Sequence, residues 1–223
     1  MEMKRNVKAI LRIEKDSAVE EIVNDIQNEY LAKGVTKNEF AKRVLAGEFE
    51  DIFDENIEAF MRKSKLRLLD DDRRQKIARV EMTDFCAEDI CYFISDIKKV
   101  IGNVSDEYSE FFNMLDIAGF NYSADGFMLP NLMYIDDLKV HSESCSDISI
   151  TLDAIISAAK LHPNTAGTSK VLIACYPESE NVKRVMRDRC FMTVGNSNLM
   201  LLIVDTDRIA ISGYKPCESP AFM

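Results

Sequence analysis

A chain of 223 residues with 47% apolar content is long enough to bury one or two cores, while its net charge of −10 excludes a protein that coats itself with nucleic acid. It has no run of about 18 apolar residues, and MEMKRNVK lacks the apolar segment of a secretory signal, so neither a membrane span nor export is expected. The six cysteines are then read as reduced thiols in a cytoplasmic protein.

The charge is uneven. Residues 1–47 carry nine basic against eight acidic side chains, a net +1, so residues 48–223 carry a net −11. Residues 5–16, RNVKAILRIEKD, alternate as a strand, with Val7, Ala9, Leu11 and Ile13 on one face and Lys8, Ile10 and Arg12 on the other. A helix comes next, from about Ser17 to Lys33, where Ser17 and Glu20 have the spacing of a capping box and Gly34 ends the helix. Thr36 and Glu39 have the same spacing at the start of a second helix, whose stripe is Phe40, Ala41, Val44 and Leu45.

From Glu48 to Ile101 the periodicity predicts helices, with KSKLRLLDDDRRQK as a charged junction and Ile77 to Ile101 as one long helix before Gly102. Val104–Ala118 predicts another short helix. After Gly119, LMYIDDLKV suits a strand although it alternates poorly. DISITLDAIISAAK reads as a helix, KVLIACY as a buried strand, SENVKRVMRDR as a short helix, LMLLIVD as a buried strand and RIAISGY as a last strand. The expected class is α+β: an N-terminal unit over 1–47, a helical segment over 48–119, a small α/β domain over 120–216 and a tail over 217–223.

The stretch RNVKAILRIEKDSAVEEIVNDIQNEYLAKGVTKNEFAKRVLAGEF, and above all its turn KGVTKNEF, resembles the ribbon–helix–helix DNA-binding domain of the Arc-type repressors. The resemblance implies a homodimer whose paired strands enter the major groove, where base edges are distinguishable. It places Lys8, Ile10 and Arg12 toward the bases, Lys4 and Asn6 at the ribbon's end, and Thr36, Lys37 and Asn38 at a helix start that meets phosphate. One departure is Ile10, which offers no hydrogen bond at a position where the family places a polar reader.

No catalytic set emerges from the rest. His141 and His162 lie in turn-like sequence without a nucleophile signature. Cys86 and Cys91 lack a second pair for zinc, the Asp70–Asp72 run reads as a solvated face, and no glycine-rich phosphate loop occurs. NLMLLIVDTDRIAISG resembles the phospholipase-D-like motif, with Asn198, Met200, Asp205, Ser212 and Gly213 at the matching positions, but the nucleophilic His and the Lys are replaced. The expectation is therefore a non-enzymatic, homodimeric DNA-binding regulator without cofactor or metal, whose acidic body engages a ligand or a protein partner. The alternative is an acidic protein–protein interaction module, such as a phage or plasmid accessory or inhibitor protein, without DNA binding.

Overall fold

The computed structural model describes residues 6–85, 104–120, 131–142, 144–160 and 170–205. The chain opens with β1 (Val7–Lys15), followed by α1 (Val19–Ala32), α2 (Lys37–Leu45), the short α3 (Glu50–Glu55) and a 3-10 turn, Ile57–Phe60. The hairpin of β2 (Met61–Asp70) and β3 (Gln75–Phe85) comes next, then α4 (Asp106–Ile117), β4 (Asn131–Val140), α5 (Cys145–Lys160) and β5 (Lys170–Cys175). Last come α6 (Glu180–Asp188), β6 (Met192–Thr193) and β7 (Met200–Asp205).

All seven strands join one sheet in the order β1-β2-β3-β4-β5-β7-β6. Every neighbouring pair is antiparallel except β4 and β5, which run parallel and are connected through α5. The two faces bury separate cores. On one face, α1 to α4 cover Met61, Phe85, Leu132, Tyr134, Leu172 and Leu201. On the other, α5 and α6 cover Leu66, Val80, Met82, Met133, Ile173 and Met200. Aromatic rings dominate the first core: Phe85, Tyr108, Phe111, Phe112 and Tyr134 pack edge-on or tilted with centroids 4.7–5.6 Å apart, within the range that adds to simple burial.

This sheet overturns the expected fold class. In a ribbon–helix–helix dimer the first strand pairs with a second chain, whereas here β1 is hydrogen-bonded along its length to β2 of the same chain, from Val7↔Asp70 to Lys15↔Lys63. The helical middle is corrected as well. Ser64, Leu66 and Leu68 are buried while Lys63 and Arg67 are exposed and Lys65 is half-buried, a period of two that makes KSKLRLL a strand. The DDDRR run is the hairpin turn, where Arg74 takes a positive φ of 53° and Asp70 Oδ1 accepts from the Arg73 N–H at 3.0 Å. Ile77 to Phe85 is strand rather than the start of a long helix. The rest of that expected helix, with Cys86 and Cys91, lies outside the described residues, as do His162 and the expected last strand RIAISGY.

The caps differ in part. Thr36 accepts from the Glu39 N–H at 3.3 Å and caps α2, but the Glu39 carboxylate turns to Arg43 instead of closing the box. At α1 the N-cap is Ala18, with no side-chain cap. Ser17 instead donates its hydroxyl to the Ala59 carbonyl at 2.9 Å, and Ala18 N–H donates to the same oxygen at 2.9 Å. These bonds tie the β1–α1 turn to the segment that enters β2.

Candidate active site

The parallel pair sets the site. β4 and β5 are paired from Asn131↔Val171 to Ile135↔Cys175. β5 then ends, while β4 continues to Val140 against β3 alone. Ligands of open α/β sheets bind outside the carboxyl ends of such strands. Here a cleft of about 240 Å³ opens at that place, between Asp136–Val140 of β4 and Tyr176–Ser179 after β5. Ile148 of α5 and Val182 of α6 form its apolar floor. Beyond Ile135, the β4 backbone edge that faces the cleft has no strand partner among the described residues.

A β-bulge aims a carboxylate into this opening. The β3–β4 register passes from Glu81↔Asp137 to Met82↔Ile135, so Asp136 is the extra residue. Its effect on alternation is direct: Met133 and Ile135 belong to the core under α5, and after the bulge Leu138 and Val140 pack on that same core. Asp136 points the other way, where Thr83 Oγ1 donates to its Oδ2 at 2.8 Å and the Tyr108 hydroxyl donates to its Oδ1 at 2.8 Å. The two hydroxyl oxygens are 3.1 Å apart. Beside them, the Tyr134 hydroxyl donates to Glu107 Oε1 at 2.5 Å.

The electrostatics follow from this packing. Asp136 stays accessible at the cleft surface, yet protein crowds its carboxylate from below and raises its pKa, against the lowering effect of the two hydroxyl donors and Lys63. Burial likewise raises Tyr108 and Tyr134 far above the usual phenol value. Tyr176 is pushed up to about 12, chiefly by burial and further by Glu110 and Glu107. Its hydroxyl is enclosed without a hydrogen-bond partner among the described residues. Cys175, at the end of β5, is raised to about 12 by burial and is an inert core thiol. The arrangement offers an accessible base, a protonated phenol and an unpaired backbone edge around one small cleft.

The residues singled out from sequence lie elsewhere. Lys8, Ile10 and Arg12 are exposed on β1. The Asn6 N–H donates to Asp72 Oδ2 at 3.3 Å beside the hairpin turn, and Lys4 lies outside the described residues. Thr36, Lys37 and Asn38 start α2, where the Thr36 oxygen is occupied by its cap bond. In the phospholipase-D-like match, Met200 is 1% exposed in the core, and Asn198 accepts from Lys183 at 3.1 Å. Ser212 and Gly213 lie outside the described residues. Met200 is thus core, and the phospholipase-D-like reading is withdrawn with the ribbon.

Sequence reasoning missed Thr83, Tyr108, Asp136 and Tyr176 because they stand far apart along the chain and only the sheet brings them together. One signal was present. The adjacent acids in YIDDLKV break the alternation of an otherwise apolar strand, and that break is the bulge. Among the described residues no group of three or more His, Cys, Asp or Glu is placed to hold a metal ion, and no helix is long and apolar enough to cross a membrane.

Comparison with known proteins adds little. No family model matches the chain, and no curated protein matches it. Among solved structures it is similar to a ribosomal-protein-S5-alanine acetyltransferase from Vibrio fischeri, with 12% identity, 93% of this chain and 97% of that chain covered, and a TM-score of 0.30. That likeness is too slight to assign an activity. The mixed seven-stranded sheet nevertheless removes the DNA-binding regulator and its paired ribbon, and with them the expected DNA partner and dimer. The alternative, an acidic interaction module, finds no support either, since no family model or curated protein matches the chain. The expectation of a non-enzyme rested on the lack of a local motif, and the cleft assembles chemistry that no local motif contains.

Proposed function

We propose that the chain is an enzyme that transfers an acyl group from a thioester to an amine in the cleft between β4 and β5. The observation that carries this reading is the parting of the two parallel strands at the bulge, which sets Asp136 beside an unpaired stretch of β4 backbone. An extended donor lies along that edge, where free backbone N–H groups meet the carbonyl oxygen as charge develops on it. The cleft's carboxylates, Asp136, Asp137 and Glu178, favour an amine over an anionic acceptor.

Asp136 takes the proton from the attacking amine as the N–C bond forms, and its raised pKa makes it a stronger base than a free carboxylate. The C–S bond breaks, and the departing thiolate takes its proton from solvent at the open mouth of the cleft.

The test is release of free thiol from acetyl-coenzyme A in the presence of a panel of primary amines. Amine-dependent release that Asp136→Asn lowers by about a hundredfold or more is expected for loss of a general base. Release that is absent with every amine, or equal in the variant, overturns the reading.

A further inference from the structure

Among the described residues, the helices on the Asp136 face cover only one end of the sheet, and the exposed remainder is basic although the chain is strongly acidic. Strand register places Arg12, Lys65, Glu81 and Asp137 in one row across β1 to β4, and Ile10, Arg67, Arg79 and Lys139 in the next. Lys8, Ile10, Arg12, Arg67, Arg79 and Lys139 are all exposed. Ion pairs occupy part of this face: Lys65 bonds Glu14 at 2.5 Å and Glu81 at 3.6 Å, Arg79 bonds Glu81, and Lys139 bonds Asp137 at 2.7 Å. Among the described residues no ion pair holds Lys8, Arg12 or Arg67.

We infer that the acceptor of the proposed transfer is a peptide amine followed within a few residues by acidic side chains, which dock on Lys8, Arg12 and Arg67. The inference rests on the acyl-transfer reading for the amine, and on this platform alone for the acidic segment. Charge complementarity has two poles: carboxylates at the cleft for the amine, and cations across the sheet for the acidic residues beyond it. The span agrees. From β4 to β1 are three strand spacings, roughly 14 Å, which an extended peptide crosses in four to five residues at about 3.3 Å each.

A nucleic acid fits this surface less well. Glu14, Glu81 and Asp137 stand among the cations and repel a continuous line of phosphates, whereas the separate carboxylates of a peptide fall between them. The exposed Ile10 in the middle of the platform suits an apolar contact with a peptide side chain.

The experiment is fluorescence anisotropy with hexapeptides labelled at the C-terminus that have a free N-terminus, Ser-Gly, and then four aspartates or four lysines. It is run on the wild type and on a Lys8→Ala/Arg12→Ala/Arg67→Ala triple variant checked for its native circular dichroism. The wild type is expected to bind the acidic peptide, and the triple variant to bind it at least tenfold more weakly. That pattern supports the docking surface even where no thiol is released, in which case only the catalytic reading fails. Acyl transfer with no preference between the two peptides overturns the inference and leaves the catalytic reading standing. Binding that the triple variant keeps, or that a DNA duplex achieves in place of the acidic peptide, overturns it as well.

Discussion

The Tyr108 hydroxyl donates to Asp136 Oδ1 at 2.8 Å, so α4 and the bulge of β4 are fixed to one another at the mouth of the cleft. Tyr108 is 8% exposed and packs edge-on against Phe85 and Tyr134. The bond therefore holds the carboxylate in position while its other side faces the opening.

Tyr108→Phe removes the donor and keeps the ring. A hydrogen bond to a charged group contributes about 1.5–3 kcal/mol, so urea unfolding at neutral pH is expected to show a loss of that order. Because the hydroxyl lowers the Asp136 pKa, the carboxyl in the variant titrates at higher pH. An unchanged midpoint together with an unchanged titration contradicts the bond.

Asp136 carries a pH signature of opposite sign to an ordinary paired carboxylate. Its folded-state pKa is raised, so the folded protein holds this proton more tightly than the unfolded chain. The resulting stability is fully present below the unfolded value of about 3.9 and is lost as pH rises through the folded value. Asp136→Asn is expected to melt at a higher temperature than the wild type at pH 7, with no gain near pH 3. A variant that is less stable at pH 7 by the amount it is at pH 3 goes against the raised pKa.

Thiol reactivity separates three cysteines. Cys145 and Cys190 are exposed, whereas Cys175 is buried with its pKa pushed up to about 12. Brief iodoacetamide treatment with peptide mass mapping should modify the first two and leave Cys175 unmodified until the protein is unfolded. Rapid alkylation of native Cys175 places β5 wrongly.

Phe111 is 0% exposed at the centre of the aromatic core beneath the site. Phe111→Ala is expected to cost about 3–5 kcal/mol in equilibrium unfolding, and to impair thiol release through the loosened Tyr134 and Tyr108. Thr36→Ala, which removes only the α2 cap, costs about 1 kcal/mol and leaves release unchanged.

Much of the local structure was legible in the sequence, and the assembly was not. The strands β1, β4, β5 and β7 and the helices α1, α2, α4, α5 and α6 follow from alternation, apolar runs and helical stripes that the structure retains. The hairpin of β2 and β3 was hidden because its charges read as a solvated helix, although Ser64, Leu66 and Leu68 already alternated. The resemblance to a ribbon rested on β1 and two helices. Those elements are present, but β1 uses its hydrogen bonds on β2, from Lys15↔Lys63 to Val7↔Asp70, a long-range pairing that no local pattern reports. The site escaped for the same reason: Thr83, Tyr108, Asp136 and Tyr176 meet only through strand order, register and one bulge.

The most direct measurement is the pH–rate profile of thiol release from acetyl-coenzyme A with a weakly basic amine that stays neutral across the range, for wild type and Asp136→Asn. With Asp136 as the base, the wild-type rate rises with pH through one ionisation above the ordinary carboxylate value of about 3.9, and the variant lacks this limb and is slower by about two orders of magnitude or more. A variant with the wild-type rate and the same limb contradicts this, because Asp136 is then not the base.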